Sequence, residues 1–363
     1  IANTAQASCS GLVIAMIDPS DGQVFEQIQR SNASDIDDAV RAAQDCLQRH
    51  WRQLSAAERG RLLMQLSRKI TEHAEELAAI EQRDCGKPTQ QARADAHALA
   101  RYFEFYAGAC DKLHGETIPY QNGFSVLTWR EPHGVTGHII PWNYPMQIFG
   151  RSVGGALAAG NVCVVKPAED ACLSLLRVAQ LAAEVGFPAG AINIVTGYGH
   201  EVGDALARHP GIDHISFTGS TEVGRRLYQE AARTIKKVSL ELGGHAPFLI
   251  FEDADIDQAV EEVVACKFRN SGQTCVCTNR IYVQRAIVEG GGFLKTNQLV
   301  IEAMKGWMVE EARSALDEMP VEERGTSNLL WNLSSLLAGQ GRLVEAEPLR
   351  RDPLEAHRRK HGD

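Results

Sequence analysis

The chain has 363 residues, an apolar content of 44% and a formal net charge of −9. This length exceeds what one hydrophobic core usually serves, so two or more domains are expected. The acidic balance argues against a nucleic-acid partner, and no apolar run is long enough to predict a membrane span.

Cysteine usage and the first residue bear on the compartment. The nine cysteines have no framework spacing, which favours reduced thiols and an intracellular location, cytoplasmic or organellar. Because the chain begins with isoleucine rather than methionine, the sequence leaves open a preceding segment, including a targeting peptide.

The N-terminal region is predicted to contain two surface helices. Ser34 is the candidate N-cap of the first, and acidic residues and an apolar stripe follow it as far as Leu47. Ser55 and Glu58 form a capping-box pattern that predicts a second helix reaching about Gln82.

The central region predicts a doubly wound, parallel α/β sheet. A turn at Asn122-Gly123 leads into a predicted strand over 124–129, and after it short apolar runs alternate with helical patterns. The predicted strands are 134–140, 162–165, 192–195 and 214–217, and the predicted helices are 152–159, 173–183 and 202–207. A strand over 247–251 and a helix over 256–268 begin a second α/β domain.

The pattern changes near Arg285, and residues 286–363 are predicted to form a helical tail unrelated to the rest. Residues 332–349 resemble one tetratricopeptide repeat of the kinesin light chain type. A single repeat cannot bury its own apolar face, and about three are needed for stability. Pro353 also falls where the second helix should continue, so a working repeat domain is not expected.

Four ordered segments carry the chemistry. They are Pro141-Trp142-Asn143-Tyr144-Pro145, Phe217-Thr218-Gly219-Ser220, Leu240-Glu241-Leu242-Gly243-Gly244 and the thiol segment Phe268-Arg269-Asn270-Ser271-Gly272-Gln273-Thr274-Cys275-Val276-Cys277. A thiol on one Gly-flanked loop and a carboxylate on another Gly-flanked turn favour covalent catalysis followed by attack of water. At these segments the chain resembles the NAD(P)-dependent aldehyde dehydrogenase superfamily, from its start to about Gln284.

The resemblance implies oxidation of an aldehyde to a carboxylate with NAD. Cys275 would be the nucleophile, forming first a thiohemiacetal and then, after hydride departs, a thioester. Glu241, expected on a turn, would be the general base for the deacylating water. The Asn143 side chain, together with the backbone N–H of Cys275, would stabilise the oxyanion.

The same resemblance implies a cofactor site. Lys166 and Glu169 would hold the adenine ribose hydroxyls, and the Glu169 carboxylate would favour NAD over NADP by repelling a 2′-phosphate. Gly219 and Ser220 lead a strand into a helix whose N-terminus can face the pyrophosphate.

Three further residues are expected to touch the cofactor. Trp142 would flank the phosphates, and Gly199 would lie at a strand–helix turn near the adenine. Gly243 would let the backbone approach a bound ring closely.

The thiol segment is similar to that of succinate-semialdehyde dehydrogenases, in the pattern Phe-Arg-Asn-x-Gly-Gln-Thr-Cys-Val-Cys. Arg151 and Arg269 are basic and could pair with an acidic substrate tail. Packing is the favoured role of Cys277, and redox pairing with Cys275 is the alternative.

No metal site is predicted, because the histidines lack paired ligand spacing and are each expected at surface or turn positions. The histidines considered were His133, His138, His200, His209, His214 and His245.

The main alternative is a catalytically impaired or fused fragment that acts only as a cofactor-binding or protein-interaction module. In the resembling family, a Glu-Ile-Phe-Gly-Pro segment and an assembly strand follow the thiol, and neither is found here. The resemblance implies a homo-oligomer, but the family's assembly strand is not found in this sequence. A papain-type cysteine hydrolase would need a paired histidine downstream, and His357 and His361 lie in the wrong context.

These features predict the domain boundaries. Residues 1–120 and 135–242 would form the NAD-binding domain, 121–134 an assembly-arm strand, 243–285 the truncated start of a catalytic domain, and 286–363 the tail.

Overall fold

The computed structural model describes residues 1–289, so the predicted tail lies outside the described residues except for its first four positions. The chain divides into two compact units. The first unit comprises Ile1–Asp18, Val24–Gly86 and Gln90–Leu242. Among the described residues, the second comprises Pro19–Gln23, Lys87–Thr89 and residues 243–289.

A hairpin and four helices open the chain. The hairpin pairs β1 (Val13–Ile17) with β2 (Val24–Gln29) in antiparallel register. The helices are α1 (Ala33–Arg49), α2 (Ala56–Glu72), α3 (Ala74–Cys85) and α4 (Thr89–Ala109).

The cap of α1 differs from the prediction. Asn32, not Ser34, is the N-cap, and its Oδ1 accepts a hydrogen bond from the Ser34 N–H at 2.8 Å. Asp35 Oδ2 accepts in return from the Asn32 N–H at 2.8 Å. The prediction of Ser34 was wrong because this reciprocal pair starts the helix two residues earlier. Asn32 therefore accepts from the first backbone N–H groups, which have no partner within the helix.

The second predicted helix begins as expected and ends early. Ser55 and Glu58 form the predicted capping box, in which Glu58 Oε2 accepts from the Ser55 N–H at 2.8 Å. The prediction of a single helix reaching Gln82 was wrong, because His73 leaves the helical conformation at φ −107° and ψ 19°. α3 then starts at Ala74 and ends at Cys85. Gly86 is its C-cap, and its φ of +67° suits glycine.

A small antiparallel hairpin follows α4. It pairs β3 (Thr117–Ile118) with β4 (Val126–Leu127), so the strand predicted over 124–129 is shorter than expected. Its large side chains Tyr120, Phe124 and Trp129 are exposed. This hairpin corresponds to the segment in which an assembly arm was predicted.

The central sheet confirms the predicted parallel α/β architecture. Its strands are β5 (Val135–Ile140), β6 (Val162–Pro167), β7 (Ile192–Ile194), β8 (His214–Gly219) and β9 (Lys237–Leu242). They run parallel in the order β7-β6-β5-β8-β9. The order reverses between β6 and β8 around β5, and such a switch point is where doubly wound sheets bind ligands.

Helices connect these strands. They are α5 (Pro145–Ala158), α6 (Leu173–Glu184), α7 (Asp204–Arg208) and α8 (Thr221–Ala232). α5 and α6 pack together, as do α7 and α8, and right-handed crossovers place these two pairs on opposite faces. α5 begins seven residues before the predicted start because Pro145 occupies its first turn, where a missing N–H costs nothing.

The sheet strands at the centre of the first unit are buried on both faces, as their continuous apolar runs require. Every residue of β5 and β6 is buried. Phe103 of α4 and Phe149 of α5 are fully buried beside each other, with ring centroids 6.2 Å apart. This packing holds the loops at the ends of the strands in place.

The described part of the second unit is smaller. β10 (Ala246–Ile250) and β11 (Thr278–Val283) pair in parallel, with α9 (Ile256–Phe268) between them in sequence and α10 (Arg285–Glu289) after them. Ile250, Val263 and Ile287 form its buried apolar cluster. Within residues 1–289 no helix is both long and apolar enough to cross a bilayer.

A pair of glycines provides a test of the packing between α1 and the turn before β7. Gly190 has φ +92°, and an added Cβ would lie 2.3 Å from the Ala42 carbonyl oxygen. Gly186 has φ +90°, but nothing lies within 4 Å of its Cβ position. Gly186→Ala should therefore cost about 1–2 kcal/mol from the backbone conformation alone. Gly190→Ala should cost about 2–3 kcal/mol more, because backbone must move.

Urea unfolding of both variants and the wild type measures this difference. Equal losses of unfolding free energy at the two positions would contradict the close approach of Gly190 to α1.

Candidate functional site

The predicted site residues of the first unit gather at the carboxyl edge of the sheet. Parallel strands end at one edge, so the loops that follow them lie side by side. Trp142 and Asn143 follow β5, Glu169 follows β6, Ser220 follows β8, and Glu241 lies near the end of β9. The order of the strands, rather than their sequence separation, brings these positions to one edge.

Lys166, Glu169 and Gly199 form a connected cluster. Lys166 lies in β6 and is 3% exposed, and its Nζ donates to Glu169 Oε2. The N–H of Gly199, in the π-helical turn Gly199–Gly203, donates to Glu169 Oε1 at 3.4 Å. The structure thus brings together three residues that the sequence assigned to one ligand.

The Glu169 carboxyl is held in its ionised form. Burial by itself raises the pKa of this carboxyl, but the Lys166 charge and the hydrogen bonds from Lys166 and Gly199 outweigh burial and lower it. An ionised carboxylate beside a buried ammonium accepts hydrogen bonds from ligand hydroxyls and repels a phosphate. The cluster therefore fits the hydroxyls of a ribose.

An ion pair that sequence reasoning missed holds the Gly199 turn. Arg30 Nε and Nη2 donate to the two carboxylate oxygens of Glu201 at 3.0 and 2.5 Å, and the guanidinium stacks 5.0 Å from the Tyr198 ring centroid. Arg30 and Glu201 are 171 positions apart, so no local pattern in the sequence could pair them.

The end of β8 leads directly into a helix N-terminus. Gly219 is the last residue of β8, and Ser220 caps α8 by accepting from the Val223 N–H at 3.3 Å. The remaining free N–H groups of such a terminus can bind the oxygens of a phosphate. Trp142, after β5, has 43% of its surface exposed and is available to a ligand.

Glu241 lies in β9, not on a turn, so that part of the prediction was wrong. The Gly-Gly pair after it ends the strand at Leu242, and Glu241 is the next-to-last residue that pairs with β8. Its side chain is 65% exposed, and Oε2 lies 3.9 Å from Arg151 Nη2 of α5. Asn143 lies in the half-buried loop between β5 and α5.

Cys275 is an exposed free thiol of the second unit. It lies between the 3₁₀ turn Arg269–Gly272 and β11. Asn270, Ser271 and Gly272 in that turn have φ values of +52°, +56° and +80°. Two successive non-glycine residues at positive φ are costly, and such strain concentrates at functional sites.

Cys277 is buried and has no disulfide partner, since all nine cysteines are free thiols. Its Sγ lies 3.9 Å from Lys267 Nζ and 3.8 Å from Asn279 Oδ1. Burial agrees with the favoured packing role of Cys277. Redox pairing of Cys277 with Cys275 stays a prediction.

The candidate site residues fall in both units. Asn143, Glu241 and the ribose cluster belong to the first unit, whereas Cys275 and Gly243 belong to the second. Gly243 has nothing within 4 Å of its Cβ position. The convergence of Asn143, Glu241 and Cys275 on one reacting carbon stays a prediction.

Two histidines differ from the surface or turn positions that were predicted. His138 lies in β5 and is 2% exposed, and His214 is half-buried in β8. Both histidines lie inside the predicted strands 134–140 and 214–217, and this position in apolar strand patterns was the signal that could have placed them on the sheet. Among residues 1–289, no cluster of three or more His, Cys, Asp or Glu side chains is arranged to hold a metal ion.

A model of the aldehyde dehydrogenase family matches residues 6–319. The chain belongs to the aldehyde dehydrogenase family. The match continues past Gln284 to residue 319, so the expectation that the resemblance ends near Gln284 was wrong.

Curated relatives of this family member act on different aldehydes, according to their names. The chain is 45% identical over 280 residues to hydroxyisobutyraldehyde dehydrogenase of Mycolicibacterium austroafricanum, covering 77% of this chain and 55% of that protein. It is 44% identical over 293 residues to human retinal dehydrogenase 2, covering 80% of this chain and 57% of that protein. The chain therefore spans little more than half the length of these relatives.

Solved structures show the same fold. A candidate aldehyde dehydrogenase from Burkholderia cenocepacia is 61% identical with a TM-score of 0.81, covering 84% of this chain and 63% of that one. An NADP dependent enzyme from E. coli is 39% identical with a TM-score of 0.80, covering 84% and 62%. PnpE in complex with nicotinamide adenine dinucleotide is 38% identical with a TM-score of 0.79, covering 85% and 61%. Structures similar to this family member thus include both NAD-bound and NADP-dependent proteins.

Proposed function

We propose that this member of the aldehyde dehydrogenase family oxidises an aldehyde to a carboxylate with NAD, through a thioester at Cys275. The observation that carries the proposal is the cluster of Lys166, Glu169 and Gly199 at the carboxyl edge of the sheet. It lies at the same edge as Asn143 and Glu241, in a chain whose thiol segment has the strained turn before Cys275.

The chemistry assigns one role to each residue. The Cys275 thiolate attacks the aldehyde carbon, and the Asn143 amide donates to the oxyanion that forms. Lys166 and Glu169 would hold NAD, which would supply the acceptor for the hydride of this adduct. Glu241 then takes a proton from water, which attacks the thioester and releases the carboxylate and the thiol.

The surroundings of Glu241 support its role as a base. Its side chain is largely exposed, so water reaches it, and Arg151 lies at 3.9 Å without closing a tight hydrogen bond. A carboxylate locked in a short bidentate pair would have to break that pair before accepting a proton. Glu241 is therefore available to an attacking water.

The substrate class is proposed from the same region. Arg151 at the carboxyl edge, together with Arg269 before the thiol, favours an aldehyde with an acidic tail, as in the resemblance to succinate-semialdehyde dehydrogenases. An intracellular setting suits nine free thiols. An aldehyde substrate is proposed from the family. The family would also assemble into a homo-oligomer, although its assembly strand was not found in this sequence.

A second function is a cofactor-binding module without turnover. The chain spans 55% of the hydroxyisobutyraldehyde dehydrogenase and 63% of the Burkholderia protein. This second function would require that residues holding the nicotinamide in the family are not supplied, so that the ring is misplaced. A reactant misplaced by about 1 Å can cost about 100-fold in rate. NAD binding is expected to survive such a loss better than turnover.

Absorbance of NADH formed with a panel of aldehydes tests the two functions, alongside calorimetric titration with NAD. Turnover with NAD and a preference for aldehydes with a carboxylate tail would support the first. NAD binding with no NADH formed from any aldehyde would support the second. Absence of NAD binding would contradict both.

Cofactor choice provides a separate prediction. Glu169→Ser should weaken discrimination against NADP by about 10- to 100-fold, because the carboxylate that repels the 2′-phosphate is removed. The ratio of the NADP and NAD dissociation constants measures the effect.

Asp170→Asn is the matched control, since Asp170 is the neighbouring carboxylate but lies exposed. Equal affinities for NAD and NADP in the unchanged protein would overturn the argument from Glu169.

A further inference from the structure

A polar cavity lies on the face of the sheet that carries α5. Its volume is about 350 Å³, and it lies entirely within the first unit. α5 contributes Arg151, Ser152, Gly155 and Ala156, while β5, β8 and β9 contribute imidazoles and hydroxyls. Two of these polar atoms are buried and lack a protein partner: His138 Nδ1 and Ser152 Oγ.

The tautomer of His138 follows from its neighbours. Thr136 Oγ1 donates to the Val162 carbonyl oxygen at 3.1 Å and lies 2.9 Å from His138 Nε2. A hydroxyl has one proton, so when Thr136 donates to the Val162 carbonyl it accepts from the Nε2–H of His138. The other ring nitrogen, Nδ1, is then an acceptor at the inner wall of the cavity.

His138 Nδ1 is buried and requires a hydrogen-bond partner that the protein does not supply. His138 is 2% exposed, and burial lowers the pKa of its imidazole to about 3, with His214 as a smaller cause. The ring is therefore neutral at physiological pH. A buried acceptor without a donor costs free energy, and such atoms are normally paired with a ligand or an ordered water.

The cavity has no net charge to attract an ion. Arg151 and Glu241 lie at 3.9 Å from each other, and their charges oppose. Burial, followed by the neighbouring His133, lowers the pKa of the His214 imidazole, whose Nε2 lies 3.0 Å from Ser239 Oγ. His133 stacks on His214 with ring centroids 5.3 Å apart.

The remaining lining favours a partner that both donates and accepts. Hydroxyls of Ser152, Ser216, Thr218 and Ser239 line the cavity, and Gly155, Ala156 and Ala159 leave room beside them. Exposure runs from Glu241 and Arg151, which are 65% and 42% exposed, to the buried His138. A molecule would enter beside Glu241 and Arg151 and reach His138 at the inner end.

We propose that this cavity binds a small uncharged molecule with several hydroxyl groups, one of which donates to His138 Nδ1 and another of which contacts Ser152 Oγ. A volume near 350 Å³ accommodates a polyol of a few carbons. This site is distinct from the ribose cluster, which lies beyond the ends of β6 and β7. Glu241 and Arg151, which have roles in the proposed function, form its outer end, and the occupant is expected to bind at the inner end without NAD or aldehyde.

Titration of the full chain with xylitol tests the proposal. The side-chain nitrogen resonances of the histidines should shift saturably, and Nδ1 of His138 should change most. The expected dissociation constant is about 1 mM. Ser152→Ala should weaken binding by about 3- to 10-fold, and His138→Phe by more than about 10-fold. Ser125→Ala, at an exposed serine in the β3–β4 hairpin, should have no effect.

Ser152→Ala keeps the test decisive where His138→Phe does not fold. A linear response to xylitol without saturation would mean that the cavity holds ordered water only, and would overturn the proposal. Shifts that spread over the exposed histidines, with no larger change at His138 Nδ1, would also overturn it, because xylitol would then bind outside this cavity. Both outcomes leave the proposed oxidation untouched, since neither measurement involves an aldehyde.

Discussion

We expect Cys275→Ala to reduce aldehyde-dependent NADH formation by about four orders of magnitude or more, while NAD binding stays unchanged. Removal of a covalent nucleophile leaves only the rate supported by binding and by the oxyanion donor. The ribose cluster belongs to the first unit and the thiol to the second, so the cofactor contacts remain. Steady-state kcat/KM and calorimetric NAD titration measure the two quantities.

Cys277→Ala is the matched control. It removes a thiol two residues away that is buried rather than exposed, and its effect should be on packing. An equal loss of turnover in both variants would contradict the assignment of Cys275 as the nucleophile and would favour a paired role for the two thiols. Ordinary turnover in the Cys275→Ala variant would remove the thioester mechanism altogether.

The second large effect concerns stability in acid. Burial lowers the pKa of the His138 imidazole to about 3 in the folded chain, from its ordinary value of about 6.5. Between these values the unfolded chain binds a proton that the folded chain does not. Stability is therefore full above about pH 6.5 and falls as the pH decreases towards about 3. The loss on going from neutral pH to about pH 4.5 is about 2–3 kcal/mol.

His138→Gln isolates this contribution. The variant should lose stability near neutral pH through poorer packing, but the gap to the unchanged protein should narrow by about 2–3 kcal/mol at about pH 4.5. Urea unfolding at both pH values gives the difference. A constant gap across this range would show that the His138 imidazole titrates with an ordinary pKa.

The comparison must be made between variants because a second group acts in the opposite direction. Burial raises the pKa of the Asp84 carboxyl to about 7, so its contribution is lost as the pH rises from about 4 to 7. That contribution is common to both proteins and cancels in the difference. His114→Gln, at an exposed position, controls for the substitution itself.

Much of this molecule follows from local sequence patterns. The alternating apolar runs between residues 134 and 217 predicted four parallel strands, and all four are present with the connecting helices. The capping box at Ser55 was likewise readable, because its residues lie three apart. Such features depend on neighbours in the chain, and periodicity reports them directly.

Boundaries that depend on competing local bonds were less predictable. Asn32 and Ser34 are both acceptable caps, and the choice was made by Asp35, which pairs with Asn32. The strand containing Glu241 looked like a turn because two glycines follow it. Pairing with β8 extends β9 through Leu242, and this partner lies more than 20 residues away.

The sequence by itself determined the family, through four ordered motifs, and the residue types that its chemistry requires. Only the tertiary structure decided which of them meet: Lys166 and Glu169 with the N–H of Gly199, and Arg30 with Glu201. It also decided that His138 is a neutral imidazole buried beside a cavity rather than a surface residue. The reason is physical, since a hydrogen bond or a pKa depends on atoms within a few ångströms, and those atoms come from distant parts of the chain.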